Sequence, residues 1–142
     1  MLKRIAVAVL IVSLFLAGCG NCRAKYITLK INGVLFKLEV ADTQAKREAG
    51  LSGRTLKQNE GMLFVFENSA RYPFWMKGCL EPLDIIWIDE EKTVVGILEE
   101  LPVYCGDDYE IYRPSSKISY AIELKGGTSH KIGLEIGDGL EI

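Results

Sequence analysis

The sequence predicts a mainly β fold of the β-rich α+β class with one short helix, and three observations carry that reading. Apolar and polar residues alternate over several short windows, turn residues break the chain between them, and only 44–49 combines helix formers with a cap and a stop. The chain has 142 residues and a formal charge of −2.

In chain order, the first stretch reads as a processing signal. Lys3 and Arg4 form a basic n-region and Ile5 to Leu16 an apolar run of h-region length. That run is shorter than the about 20 residues needed to cross a bilayer. It closes on Leu16-Ala17-Gly18-Cys19, which resembles a lipobox and implies cleavage before Cys19 and lipidation of its sulfur; an ordinary secretory signal or uncleaved anchor is the rival reading. The expected organisation is a leader over 1–18, a lipid-anchored tether over 19–25 and a single β-rich domain over 26–142. The location implied is the cell envelope, outside the cytoplasm, with the lipid on Cys19 holding the protein to a membrane. Without the leader, 15 basic residues face 19 acidic ones, a formal charge of −4. A mildly acidic chain without clustered positive charge gives no basis for nucleic acid as a partner.

Tyr26 to Ile31 alternates and leads through Asn32-Gly33, a dipeptide suited to a type I′ turn, into Val34 to Val40, so a hairpin is expected. Asp42-Thr43 offers an N-cap for a helix over 44–49, and Gly50 can stop it. Gly61 to Phe66 is apolar after its glycine and reads as a central strand covered on both faces. Thr93 to Leu98 and Ile118 to Leu124 are further strands, separated by a proline-containing loop over Leu101 to Ser116. Gly126 to Gly133 reads as a turn or one helical turn, and Ile136-Gly137-Asp138-Gly139 as a tight turn before a last short strand.

The stretch Tyr72 to Asp89 concentrates the residue types that carry chemistry. Read as a hairpin of Phe74 to Lys77 with Leu83 to Ile88, it places Trp75 opposite Ile86 and Lys77 opposite Asp84. Alternation puts Asp84 on the face of Ile86 and Ile88, where a carboxylate needs a partner. Lys77 is the nearest partner, and Arg47 and Arg54 can also face this point. One reading is a structural ion pair. The other is a polar pocket in which these cations hold an anionic or hydroxylated ligand against Trp75.

Four cysteines suit an oxidising compartment. With Cys19 lipidated and Cys22 in the tether, the expected disulfide joins Cys79 to Cys105. It would contribute about 3.5 kcal/mol in the chain-entropy model. A reactive thiol at Cys79 or Cys22 is the alternative. No metal or cofactor is expected: His130 is the only histidine, the serines lack a nucleophile elbow, and the acidic groups at Glu99-Glu100 and Asp107-Asp108 read as solvated loops. Asp84 and Asp89 fall on opposite faces of a regular strand, which argues against paired carboxylates.

The segments Ala41-Asp42-Thr43, Arg47, Gly50-Leu51, Arg54, Gly61-Met62-Leu63-Phe64, Phe74-Trp75-Met76-Lys77, Pro82-Leu83-Asp84 and Ile88-Asp89 are, in this order, similar to the family called domain of unknown function 192. The similarity runs from Tyr26 to Ile142. It departs at Gly78-Cys79, where that family usually has Asn-Thr, which favours the bridge to Cys105, and after Leu51, where a methionine commonly follows. The resemblance implies a compact, mainly β, barrel-like domain with one helix and no established activity. Two functions are therefore expected. One is a membrane-tethered binding or envelope-maintenance module with a pocket of Arg47, Arg54, Trp75, Lys77 and Asp84. The other is an envelope hydrolase or lyase for a small polar or sugar-like substrate, with Asp84 as acid or base and Lys77 as its electrostatic partner.

Overall fold

The structure is a computed structural model that describes residues 24–142. The leader, Cys19 and Cys22 lie outside the described residues. Strands β1 (Tyr26–Ile31) and β2 (Val34–Ala41) form the expected hairpin, with Asn32 at φ 44° and Gly33 at φ 85° supplying the two positive φ angles of its turn. Helix α1 (Gln44–Ala49) follows. Thr43 caps it by accepting from the Lys46 N–H, and the Gly50 N–H closes it on the Lys46 carbonyl. It carries the chain over to β3 (Glu60–Ala70), which runs parallel to β2. A parallel pair needs such a crossover, since a tight turn can join only antiparallel neighbours.

The rest of the chain adds β4 (Phe74–Trp75), β5 (Leu83–Ile88), β6 (Val94–Leu101), β7 (Ile111–Tyr112), β8 (Ile118–Lys125) and the short helix α2 (Thr128–Lys131). Six strands form one mixed sheet in the order β1-β2-β3-β8-β5-β6, while β4 and β7 pair separately. The mainly β expectation is met. The sheet does not close into a barrel: β1 and β6 remain its edges. The tail 132–142 packs beside them instead, with the Leu140 N–H donating to the Lys92 carbonyl and Asn32 Nδ2 donating to the Gly133 carbonyl at 2.9 Å.

Each face of the sheet carries its own core. One is built on Leu38, Leu63, Ile86, Ile88, Ile122 and Leu124, covered by the β1–β2 hairpin and the tail. The other is built on Met62, Phe64, Phe66, Ile85, Trp87 and Ala121, covered by Leu51, Leu56, Phe74, Met76 and Cys79.

Two expectations are corrected here. Phe74 to Lys77 and Leu83 to Ile88 do not pair with each other. Phe74 lies opposite Tyr112 and Trp75 opposite Ile111, whereas β5 inserts between β8 and β6, with Asp84 opposite Leu124. All six residues of β5 are buried, so the strand satisfies its backbone by taking a neighbour on each edge, which a local hairpin would deny it. Lys77 and Asp84 therefore do not form an ion pair. The Cys79–Cys105 disulfide is also absent: both are free thiols, Cys79 buried in the core and Cys105 exposed in the loop after β6.

Candidate functional site

β8 lies between β3 and β5, and its Glu123 sits opposite Met62 on one side and Ile85 on the other. The backbone alternation turns Glu123 toward the Phe64–Trp87 face, away from Ile122 and Leu124. The result is a carboxyl only 6% exposed on an apolar face. Among the described residues it makes no hydrogen bond and no ion pair. Burial pushes its pKa up from 4.5 to about 8. At neutral pH the group is an uncharged acid that can both donate and accept a hydrogen bond.

The carboxyl reaches a cavity of about 270 Å³. Its walls are aromatic: Phe64 and Phe66 from β3, Tyr72 from the segment leading into β4, and Phe74 and Trp75 from β4 itself. Phe66 stacks on Tyr72 with ring centroids 3.8 Å apart and meets Phe74 edge-on at 6.3 Å. Cys79 lines the cavity too. Its thiol is raised to about 11, by burial first and by the neighbouring Glu123 second, so it is held as a thiol and not a nucleophilic thiolate.

The outer lip is α1, which buries none of its own residues. Arg47 extends from it into the lining, donating from Nη1 to the Val65 carbonyl at 2.9 Å with its guanidinium 5.3 Å from the Phe66 centroid. Its remaining N–H groups meet no carboxylate among the described residues. Glu48, also at the lip, accepts from Gln44 at 2.7 Å. Lys77 also lines the cavity and pairs with the exposed Asp107 at 2.8 Å.

Of the five residues assigned to a pocket from the sequence, Arg47, Trp75 and Lys77 meet in this cavity. Arg54 does not line it; its guanidinium pairs with Glu39 at 2.8 Å. Asp84 belongs to the other face and is completely buried. Its oxygens accept from the backbone N–H groups of Glu100 (2.8 Å), Gly127 (2.8 Å) and Ser129 (2.7 Å), fastening the end of β6 and the start of α2. An acid so fully engaged by fixed backbone donors is a structural clamp. His130 is exposed on α2, and no three metal-ligating side chains converge among the described residues.

Sequence reasoning missed Glu123. The signal was present, since a strand predicted over Ile118 to Leu124 with apolar residues on both faces makes Glu123 a buried acid by the argument applied to Asp84.

The DUF192 family model, described as "Uncharacterized ACR", matches residues 27–142. The chain belongs to the DUF192 family. A similar protein is the UPF0127 protein of Pyrococcus abyssi (strain GE5 / Orsay). It is 30% identical over 107 residues, which span 74% of the DUF192 chain described here and 85% of the Pyrococcus protein. Two crystal structures share the fold. A protein of unknown function from Novosphingobium aromaticivorans DSM 12444 superposes with a TM-score of 0.73 at 27% identity, covering 84% of this chain and 85% of that one. A Sinorhizobium meliloti 1021 protein, described as a candidate transcription regulator, gives a TM-score of 0.72 at 28% identity, covering 84% and 96%. DUF192 is a family of uncharacterised function.

Proposed function

We propose that this chain is a small-molecule-binding module of the cell envelope, held at a membrane by lipid on Cys19. The observation that carries the binding reading is the unpartnered Glu123 carboxyl at the inner end of an aromatic cavity. A buried polar group without a partner is destabilising by about 1–3 kcal/mol, and a ligand atom bonded to it recovers that loss. Ligand pockets combine apolar walls with a few orienting polar groups, and this cavity has that composition. The address rests on the basic n-region, the short apolar run and Leu16-Ala17-Gly18-Cys19. Regulation of transcription finds no support in a formal charge of −4 after the leader, 15 basic residues against 19 acidic ones.

A set of small neutral, acidic and basic aromatic compounds, followed by amide NMR, tests the binding reading. Binders are expected to shift the Trp75 indole and the amides of 64–66 and 72–79 while leaving the β1–β2 hairpin unmoved. Shifts confined to other surfaces, or none at all, overturn it.

A second reading is favoured by the elevated pKa of Glu123, which suits a general acid or base near neutral pH. On that reading the protein is an envelope hydrolase or lyase in which Glu123, not Asp84, transfers the proton. p-Nitrophenyl esters and glycosides are the first probes. Turnover abolished in Glu123→Gln with the amide NMR spectrum of the fold retained supports it, and equal turnover in both proteins sinks it.

A further inference from the structure

Resting on the binding reading above, the charges around the cavity narrow the class of ligand. Glu123 and Arg47 line the same cavity, one at the inner end and one at the lip, and neither has an opposite charge to pair with among the described residues. Lys77 is already paired with Asp107, and Glu48 is engaged by Gln44. The group awaiting a counterion is thus the Arg47 guanidinium. The Val65 carbonyl and the Phe66 ring fix its plane and leave further N–H groups for a bidentate acceptor.

The inner end makes the opposite demand. A cationic group there would share the cavity with the Arg47 and Lys77 cations and would have to ionise an acid that burial keeps neutral. A neutral hydroxyl or carbonyl needs no such step. Since an apolar cavity of about 150 Å³ holds benzene, about 270 Å³ suits a ligand of roughly ten non-hydrogen atoms, one ring with a short chain.

We infer that the pocket takes a small aromatic or branched apolar carboxylate, its carboxylate on Arg47, its body against Phe64, Phe74 and Trp75, and a neutral polar substituent at Glu123. The class is a monoanion with an apolar body, and both ends of the cavity select it. Arg47 supplies charge and planar geometry at the mouth. Glu123 disfavours a purely hydrocarbon end relative to a polar one, because its carboxyl would stay unsatisfied.

The test uses 3-phenylpropionate, 3-phenyl-1-propanol and 3-phenylpropylamine, which share a ring and chain and differ in head group. Each is titrated into the full-length protein in detergent at pH 6.5 with the Trp75 indole as NMR reporter. The acid is expected to bind about tenfold or more tightly than the alcohol, as a charge-assisted bidentate contact warrants, and the amine most weakly. In Arg47→Met the advantage of the acid over the alcohol disappears, and Arg47→Lys retains part of it. A para-hydroxyl on the acid's ring should tighten binding several-fold in the wild type and not in Glu123→Leu. Equal or tighter binding of the alcohol or the amine, or an acid preference that survives Arg47→Met, overturns the assignment and leaves the pocket reading standing. A hydroxyl gain that persists in Glu123→Leu overturns the role given to Glu123. If none of the probes moves the Trp75 indole, the pocket reading falls with the assignment.

Discussion

Asp84 and Glu123 are the buried acids among the described residues, and the chain treats them in opposite ways. Asp84 accepts three backbone hydrogen bonds on one face of the sheet; Glu123 accepts none on the other. In Asp84→Asn the amide nitrogen faces backbone donors, and a loss of about 3 kcal/mol is expected in urea unfolding, with the aromatic cavity intact by NMR. Glu123 should show the reverse behaviour. In the unfolded chain it ionises near its ordinary 4.5, whereas in the fold it keeps its proton up to about 8. Between those values the folded state holds the extra proton, so stability falls as pH rises through the window, by up to about 1.4 kcal/mol per pH unit, and levels off above pH 8. Glu123→Gln cannot ionise. Its stability relative to wild type should therefore grow by several kcal/mol between pH 5 and pH 8.5, read from paired urea titrations. The thiols separate in the same manner: iodoacetamide should label exposed Cys105 at once and Cys79 only on unfolding, followed by mass spectrometry.

At the scale of elements, the local features were legible and the long-range pairings were not. Asn32-Gly33, Thr43 and Gly50 act through their own backbones, so the β1–β2 hairpin and α1 could be read from a few adjacent residues. The apolar run of β3 likewise marks a strand covered on both faces, and Ile118 to Leu124 marks a strand where β8 lies. Periodicity assigns a residue to a face but does not name the strand beside it. For that reason Phe74 to Lys77 reads as pairing with its sequence neighbour, although its partner β7 lies 36 to 38 residues onward. The site suffered from the same limit. Arg47, Trp75 and Lys77 carry a chemistry that can be read from residue type and do share a cavity, whereas Asp84, of the same chemical kind, faces the other side of the sheet. Gly96 of β6 shows how one element makes room for another, since a Cβ there would lie 2.8 Å from the Trp87 ring. Gly96→Ala should displace that indole from the Phe74 edge and lower stability by about 1–3 kcal/mol, with altered tryptophan fluorescence.

For the whole molecule, the proposed membrane address makes a prediction independent of the pocket. Expressed with residues 1–18 in a bacterial host, the protein should partition into the detergent phase on cloud-point extraction, and Cys19→Ser should move it to the aqueous phase. The position of β8 has a different kind of consequence. It is late in the chain yet lies in the middle of the sheet, joining β1-β2-β3 on one side to β5-β6 on the other. A growing chain emerges N-terminus first, so both halves of the sheet are made before the strand that unites them. Until β8 arrives, β3 and β5 each present a bare hydrogen-bonding edge, the kind of edge that other chains can capture. Glu123 travels on that same strand. Pocket closure and edge closure are thus a single event, and a compound that grips Glu123 would act as a folding aid, drawing the last strand into its slot.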